Sequence, residues 1–305
     1  MAGSKNLTLK QLLLAHVPRR WDFTAPFDLA RPGGWCPANE CNHHDGIPCR
    51  RSPTPNLHAA LALEAVPDVE TYLDTEIVVL ERLQWDNILK VAVPWAGSEQ
   101  EMVCKVATGL PSAWSTFREF QCLIRITAAA TAGAASGIST AAVARIPRLL
   151  GIIRSSDHGG VIGLLETFVP HMHPANPSEE SLDAKEDSTV TLSRQTLYFM
   201  DLTTVSVERR EKWIRQIKET VAAIHRLGVT WYDVKADNVV INSVTDDAWL
   251  IDFGGGRSDL WAEVGTCGFI EGDLLTVRKL VAYLRLEEQY HMAKKLLDDS
   301  DTSSE

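Results

Sequence analysis

The stretch from Val229 to Gly256 constrains the fold more than any other. It opens with VTWYDVKADNVVIN, which sets Asp233, Lys235 and Asn238 ahead of the β-branched run Val239 to Ile241. A second apolar run, Ala248 to Ile251, then leads into Asp252, Phe253 and Gly254, with Asp252 fourteen residues after Asn238. The two runs read as short strands joined by the turn NSVTDD. Just upstream, Trp213, Ile214, Ile217, Val221 and Ile224 share one face of a long amphipathic helix that stops at Gly228, where a left-handed cap is favourable. A helix feeding a polar loop and then a pair of strands brings three polar groups and an acid to one rim.

The chain around this stretch has 305 residues, enough for one large domain or two modest lobes with a sizeable core. Hydrophobic residues make up 45% and charged residues 23%, which excludes a wholly disordered or collagen-like chain. The formal net charge of −10 opposes general binding to nucleic-acid phosphates, so no nucleic-acid partner is expected. No run of 18 apolar residues occurs, and Lys10, Gln11 and His16 interrupt the N-terminal stripe, so neither a membrane span nor a signal peptide is expected. Six scattered cysteines do not form a secreted disulfide framework, and a cytoplasmic or nuclear protein with reduced thiols is the expectation.

Residues 1–74, rich in Pro, Cys and His, read as an appendage carrying one helical stripe from Leu7 to Leu14. From 75 to 170, the runs TEIVVLERL, ILKVAVPW, EMVCKVATGL, IPRLLGII and GVIGLLETFV read as a sheet of about five antiparallel strands. A helix lies among them, with Trp114, Phe117, Phe120, Ile124 and Ile126 at helical spacing. Thr127 to Ala144, almost all Ala, Gly, Ser and Thr, reads as a loop or loose helical extension. Residues 171–194 read as an acidic linker, 195–297 as a mainly helical unit whose last helix runs from Leu274, and 298–305 as a disordered acidic tail. The fold class is therefore α+β, in two unequal lobes with a cleft between them.

Phosphoryl transfer needs a carboxylate to orient the attacking hydroxyl, a cation near the migrating group, and hard oxygen ligands for Mg²⁺. The Asp-x-Lys-x-x-Asn loop followed by Asp-Phe-Gly supplies these groups. In that respect the chain resembles the protein kinase-like superfamily, in a divergent form similar to kinase-like proteins of fungi. The resemblance implies a two-lobed kinase-like fold with a truncated large lobe, and a transferase that binds ATP and Mg²⁺. It makes Asp233 and Lys235 catalytic, one orienting the acceptor hydroxyl and the other neutralising the γ-phosphoryl, and it makes Asn238 and Asp252 the metal ligands. EMVCKVA resembles the strand that places Lys105 over the nucleotide phosphates, with Glu119 as its carboxylate partner. LLETFV resembles the hinge, with Leu165 at the back of the base pocket and the backbones of Glu166 and Phe168 bonding the base. Core packing alone also accounts for its apolar residues. Asp273 would cap the next helix and brace the catalytic loop, or act as a simple N-cap. The partners implied are a nucleotide and a small-molecule or protein acceptor.

Several positions depart from the family pattern. The turn RLQWDN, with Trp85, Asp86 and Asn87, stands where a Gly-rich phosphate cradle belongs. Tyr232 replaces the arginine that precedes the catalytic aspartate, so activation-segment phosphorylation could not act through the usual arginine pairing. The segment from Gly255 to Glu271 is short and lacks Ala-Pro-Glu. These losses favour a small acceptor, or else a pseudokinase scaffold; redirection to another ATP-dependent group transfer is a third reading. Separately, Cys36, Cys41, His43 and Cys49 provide thiolate and imidazole groups for a tetrahedral Zn²⁺, though the C-x4-C spacing lacks the tight C-x2-C knuckle and favours a polar loop with incidental cysteines.

Overall fold

The computed structural model describes residues 7–16, 69–84, 87–107, 110–132, 139–157, 159–171, 196–256, 261 and 268–286. The zinc candidates Cys36, Cys41, His43 and Cys49, residues Trp85 and Asp86, most of the acidic linker, and the C-terminal tail lie outside these ranges. The fold is α+β, built on a six-stranded sheet with helices packed against it. Its strands are β1 (Glu70–Leu73), β2 (Val78–Gln84), β3 (Ile88–Trp95), β4 (Ser98–Val106), β5 (Leu149–Arg154) and β6 (Val161–Thr167), in the order β1-β5-β6-β4-β3-β2. Every pairing is antiparallel except β1 with β5.

Alternation along the strands sorts side chains between two faces. Met102, Cys104 and Val106 of β4 and Leu165 of β6 join one core with Leu9 and Leu12. Lys105 and Glu166 stand on the opposite face. Leu9 and Leu12 belong to helix α1 (Leu9–His16), which is tied to the sheet where Leu9 N–H donates to the Ile77 carbonyl at 2.9 Å. The segment expected as an appendage therefore contributes both a core helix and an edge strand. The edge strand escapes sequence reading because it is four residues long with only Tyr72 buried. Gly151 lets it pack, since a Cβ there would lie 2.8 Å from the Tyr72 ring.

Helix α2 (Leu110–Ala132) buries Phe117, Phe120, Leu123 and Ile126. It runs on through Thr127 to Ala132, the second of the two alternatives expected there, a loop or a loose helical extension. Alanine has the highest helix propensity, and Ala129 is buried on the same face, so the small residues extend the helix rather than end it. The one-turn helix α3 (Thr140–Val143), capped by Ser139, leads to Arg145, whose guanidinium donates to Thr220 Oγ1 and the Gln216 carbonyl. Both acceptors lie on helix α4 (Val207–Arg226), where the anticipated stripe from Trp213 to Ile224 is buried. Strands β7 (Val239–Ile241) and β8 (Ala248–Leu250) form the expected antiparallel pair. The last helix, α5 (Ile270–Leu284), opens four residues earlier than anticipated, with Phe269 at its N-cap. One hydrophobic core joins α2, β5 and β6 to α4, β7, β8 and α5. Among the described residues, no helix is long and apolar enough to cross a membrane.

Candidate functional site

On the α2 face of the sheet, Lys105 lies between two carboxylates. Its Nζ donates to Glu119 Oε1 of α2 at 2.6 Å and lies 3.1 Å from Glu166 Oε1 of β6. All three side chains are buried. Burial pulls the Lys105 pKa down, but Glu119 first, then Glu166 and Asp252, outweigh it and hold the ammonium protonated well above its ordinary range. Glu119 is pushed up to about 8 by burial, against the pull of Lys105 and with the help of Glu166 and Asp252. Burial likewise raises Glu166, whose second oxygen, Oε2, is buried with no hydrogen-bond partner among the described residues.

The polar loop after α4 carries the second group of site residues. Asp233 Oδ2 accepts from Lys235 Nζ at 2.6 Å, and Asn238 Nδ2 donates to the Asp233 carbonyl at 2.8 Å. Burial depresses Lys235, but Asp233, and beyond it Asp252 and Asp237, raise its pKa on balance. Asp252, at φ 59, is half-buried at the end of the run that follows β8. Its carboxylate is near enough to Lys105 and Lys235 to raise the pKa of both, and its Oδ1 accepts from Gly254 N–H at 3.3 Å. Glu119 closes the circuit, because the same Oε1 that accepts from Lys105 Nζ also accepts from Phe253 N–H at 3.1 Å.

The loop is held from below by α5. Asp273, 2% exposed, accepts from Trp231 N–H at 2.7 Å and from Tyr232 N–H at 2.9 Å, and its Oδ2 lies 2.9 Å from His225 Nε2. Because α5 opens at Ile270, Asp273 lies inside its first turn and is not the N-cap. The Trp231 indole donates to the Ile251 carbonyl at 2.9 Å, and Ile251 N–H donates to the Asn238 carbonyl at 3.0 Å, which fixes the spacing between the loop and Asp252.

The hinge residues fall differently from the sequence expectation. Leu165 points into the α1 core, one face away from Lys105. Glu166 is paired with Val103 on one side and Leu149 on the other, so its backbone lies inside the sheet and it reaches the site through its carboxylate. Phe168 sits one residue beyond β6, with Lys90 Nζ 4.5 Å from its ring centroid. Sequence reasoning also missed Arg118. Its Nη1 donates to the Phe253 carbonyl and its Nη2 to the Thr230 carbonyl at 2.9 Å, while its guanidinium lies 4.6 Å from the Tyr232 ring centroid. Position was its only available signal, one residue before Glu119.

The donor set suits Mg-ATP. With the Asn238 amide nitrogen committed to Asp233, its side-chain oxygen and the Asp252 carboxylate would be the hard oxygens to hold a Mg²⁺, an ion that takes one or two protein ligands and completes its shell with phosphate and water. Among the described residues, no group of three or more His, Cys, Asp or Glu is placed to hold a metal.

Comparison with known proteins finds a partial similarity to a protein kinase. One stretch of the chain is 30% identical over 110 residues to mitogen-activated protein kinase p38a of Drosophila melanogaster. That stretch is 36% of this chain and spans 29% of the fly kinase. No protein-family model matches the chain. The partial similarity and the α+β architecture are compatible with a kinase-like fold and support, at the coarsest level, a kinase-like phosphotransferase.

Proposed function

We propose that the chain is a two-lobed, kinase-like phosphotransferase that uses Mg-ATP to phosphorylate a hydroxyl on a small molecule or protein. The observation that carries this reading is the joining of Lys105, Glu119 and the Asp252–Phe253 backbone through one carboxylate oxygen, next to the Asp233–Lys235 pair. In this reading Lys105 binds nucleotide phosphate oxygens and Glu119 keeps it extended toward them. Asp252 and Asn238 hold the metal, whose charge offsets that building on the transferred group. Asp233 orients the acceptor hydroxyl and takes its proton, while Lys235 holds that carboxylate in place and presents a second cation to the phosphoryl oxygens.

A second reading, a pseudokinase scaffold, draws support from Glu166. Its carboxylate competes for Lys105 and adds negative charge where a triphosphate would approach. Mg-ATP should raise the melting temperature if nucleotide binds only the native state. A panel of hydroxyl-bearing metabolites and peptides should then give ADP; release of pyrophosphate would instead indicate nucleotidyl transfer. Asp233→Ala should abolish turnover and leave Mg-ATP binding intact, whereas Asp252→Ala should weaken the binding itself. Wild-type turnover in both variants would overturn the assignment.

A further inference from the structure

Tyr232 stands where the kinase-like pattern has an arginine, and the structure shows what surrounds it. The residue sits at φ 80, a left-handed backbone conformation that a bulky side chain adopts only when its surroundings impose it. Two Asp273 bonds, to the N–H groups of Trp231 and Tyr232, impose it from one side. From the other, the Arg118 guanidinium packs over the Tyr232 ring at 4.6 Å. Two glycines complete the enclosure. A Cβ at Gly255 would fall 3.2 Å from Arg118 Cδ and 3.4 Å from the Tyr232 ring, and one at Gly268 would fall 2.7 Å from that ring.

Arg118 is spent entirely on the chain's own groups at this point. Its two terminal nitrogens reach the Phe253 carbonyl on the strand-to-loop segment and the Thr230 carbonyl and hydroxyl on the catalytic loop, the latter two at 2.9 and 3.1 Å. A single planar fork therefore ties three elements together: α2, which carries Glu119; the loop, which carries Asp233; and the segment, which carries Asp252. A guanidinium can do this because its donors lie in one plane while its face remains free to stack; an ammonium lacks that geometry.

We propose that Arg118 and Tyr232 form a latch that keeps the catalytic loop and the Asp252–Gly254 segment assembled on α2 without any phosphorylation. Arg118 is a positioning residue. It does not reach the reacting atoms but fixes those that do. What the latch serves rests on the phosphotransferase reading, yet its existence is measurable without turnover.

Amide hydrogen exchange on the full chain tests it, read at residues 230–233 and 252–256, with β5 and β6 as internal references. Arg118→Met keeps the stem and removes the fork, and should speed exchange at least tenfold in both segments while leaving the reference strands unchanged. Arg118→Lys keeps the charge and should restore less than half of that protection on a logarithmic scale. Tyr232→Asn, a residue that tolerates positive φ, should loosen the same two segments and provides an independent probe if the Met variant fails to fold. Phosphatase treatment of the wild type should change neither segment. Unchanged exchange in the folded Met and Asn variants would overturn the latch, as would loosening of the wild type by phosphatase. If Mg-ATP fails to stabilise the wild type while Arg118→Met still loosens both segments, the latch stands and the nucleotide reading fails.

Discussion

Replacing Asp273 with alanine tests whether α5 holds the loop that begins at Trp231. The carboxylate is buried and accepts two backbone N–H bonds, from Trp231 at 2.7 Å and Tyr232 at 2.9 Å, with His225 Nε2 a third neighbour at 2.9 Å. A hydrogen bond to a charged acceptor contributes about 1.5–3 kcal/mol, and its loss leaves a buried donor unpaired. Losing both backbone bonds should therefore cost about 3–6 kcal/mol, a large share of the roughly 5–15 kcal/mol that holds a typical domain folded. Asp273→Asn preserves the shape and one acceptor oxygen but turns an amide donor toward the second N–H, so about half that loss is expected. Urea unfolding followed by tryptophan fluorescence measures both variants, and an unchanged denaturant slope would show that native and unfolded compactness are preserved. A loss of less than about 1 kcal/mol for alanine, below the range for even one such bond, would refute the claim that this carboxylate sets the loop.

The buried triad around Lys105 gives two further tests. Glu119→Met removes the oxygen that accepts from both Lys105 Nζ and Phe253 N–H and should cost about 3 kcal/mol, whereas Glu166→Met leaves Lys105 paired with Glu119 and should cost clearly less; equal losses in chemical denaturation would contradict this division. Glu119 also sets a pH dependence, because burial lifts its folded pKa to about 8 from an ordinary value of 4.5. A carboxyl that keeps its proton longer in the folded chain contributes stability that is complete below pH 4.5 and lost as pH rises through about 8. The unfolding free energy should fall across that window at constant ionic strength, and Glu119→Gln should flatten the slope.

Much of the architecture was legible because it follows from short-range patterning. The α4 stripe from Trp213 to Ile224, the β7–β8 pair and the strands β2 to β6 all announce themselves by period and by turn residues. The convergence of Asp233, Lys235 and Asn238 at one rim was legible from the helix–loop–strand pattern, whereas the pairing of Lys105 with Glu119 was legible only through the resemblance, since no local pattern relates β4 to α2. What escaped was what depends on tertiary context. Leu165 and Glu166 are adjacent in an apolar run, and only the pleat decides which of them meets Lys105. Arg118 looks like any surface cation of an amphipathic helix until the loop carbonyls reach it. β1 is too short and too polar to register as a strand, and the start of α5 carries no side-chain cap that would mark it.

The parallel pairing of β1 with β5 has a consequence for biosynthesis. Tyr72 joins the sheet beside Ile153, some eighty residues further along the chain. At translation rates of roughly 5–20 residues per second, the first of these segments emerges about 4–16 s before its partner exists. Throughout that interval the nascent polypeptide carries an edge without a neighbour, and such edges are where unrelated strands attach. The brevity of Glu70–Leu73 limits that exposure, so the shortness that hides this strand from sequence reading also protects the half-made chain on the ribosome.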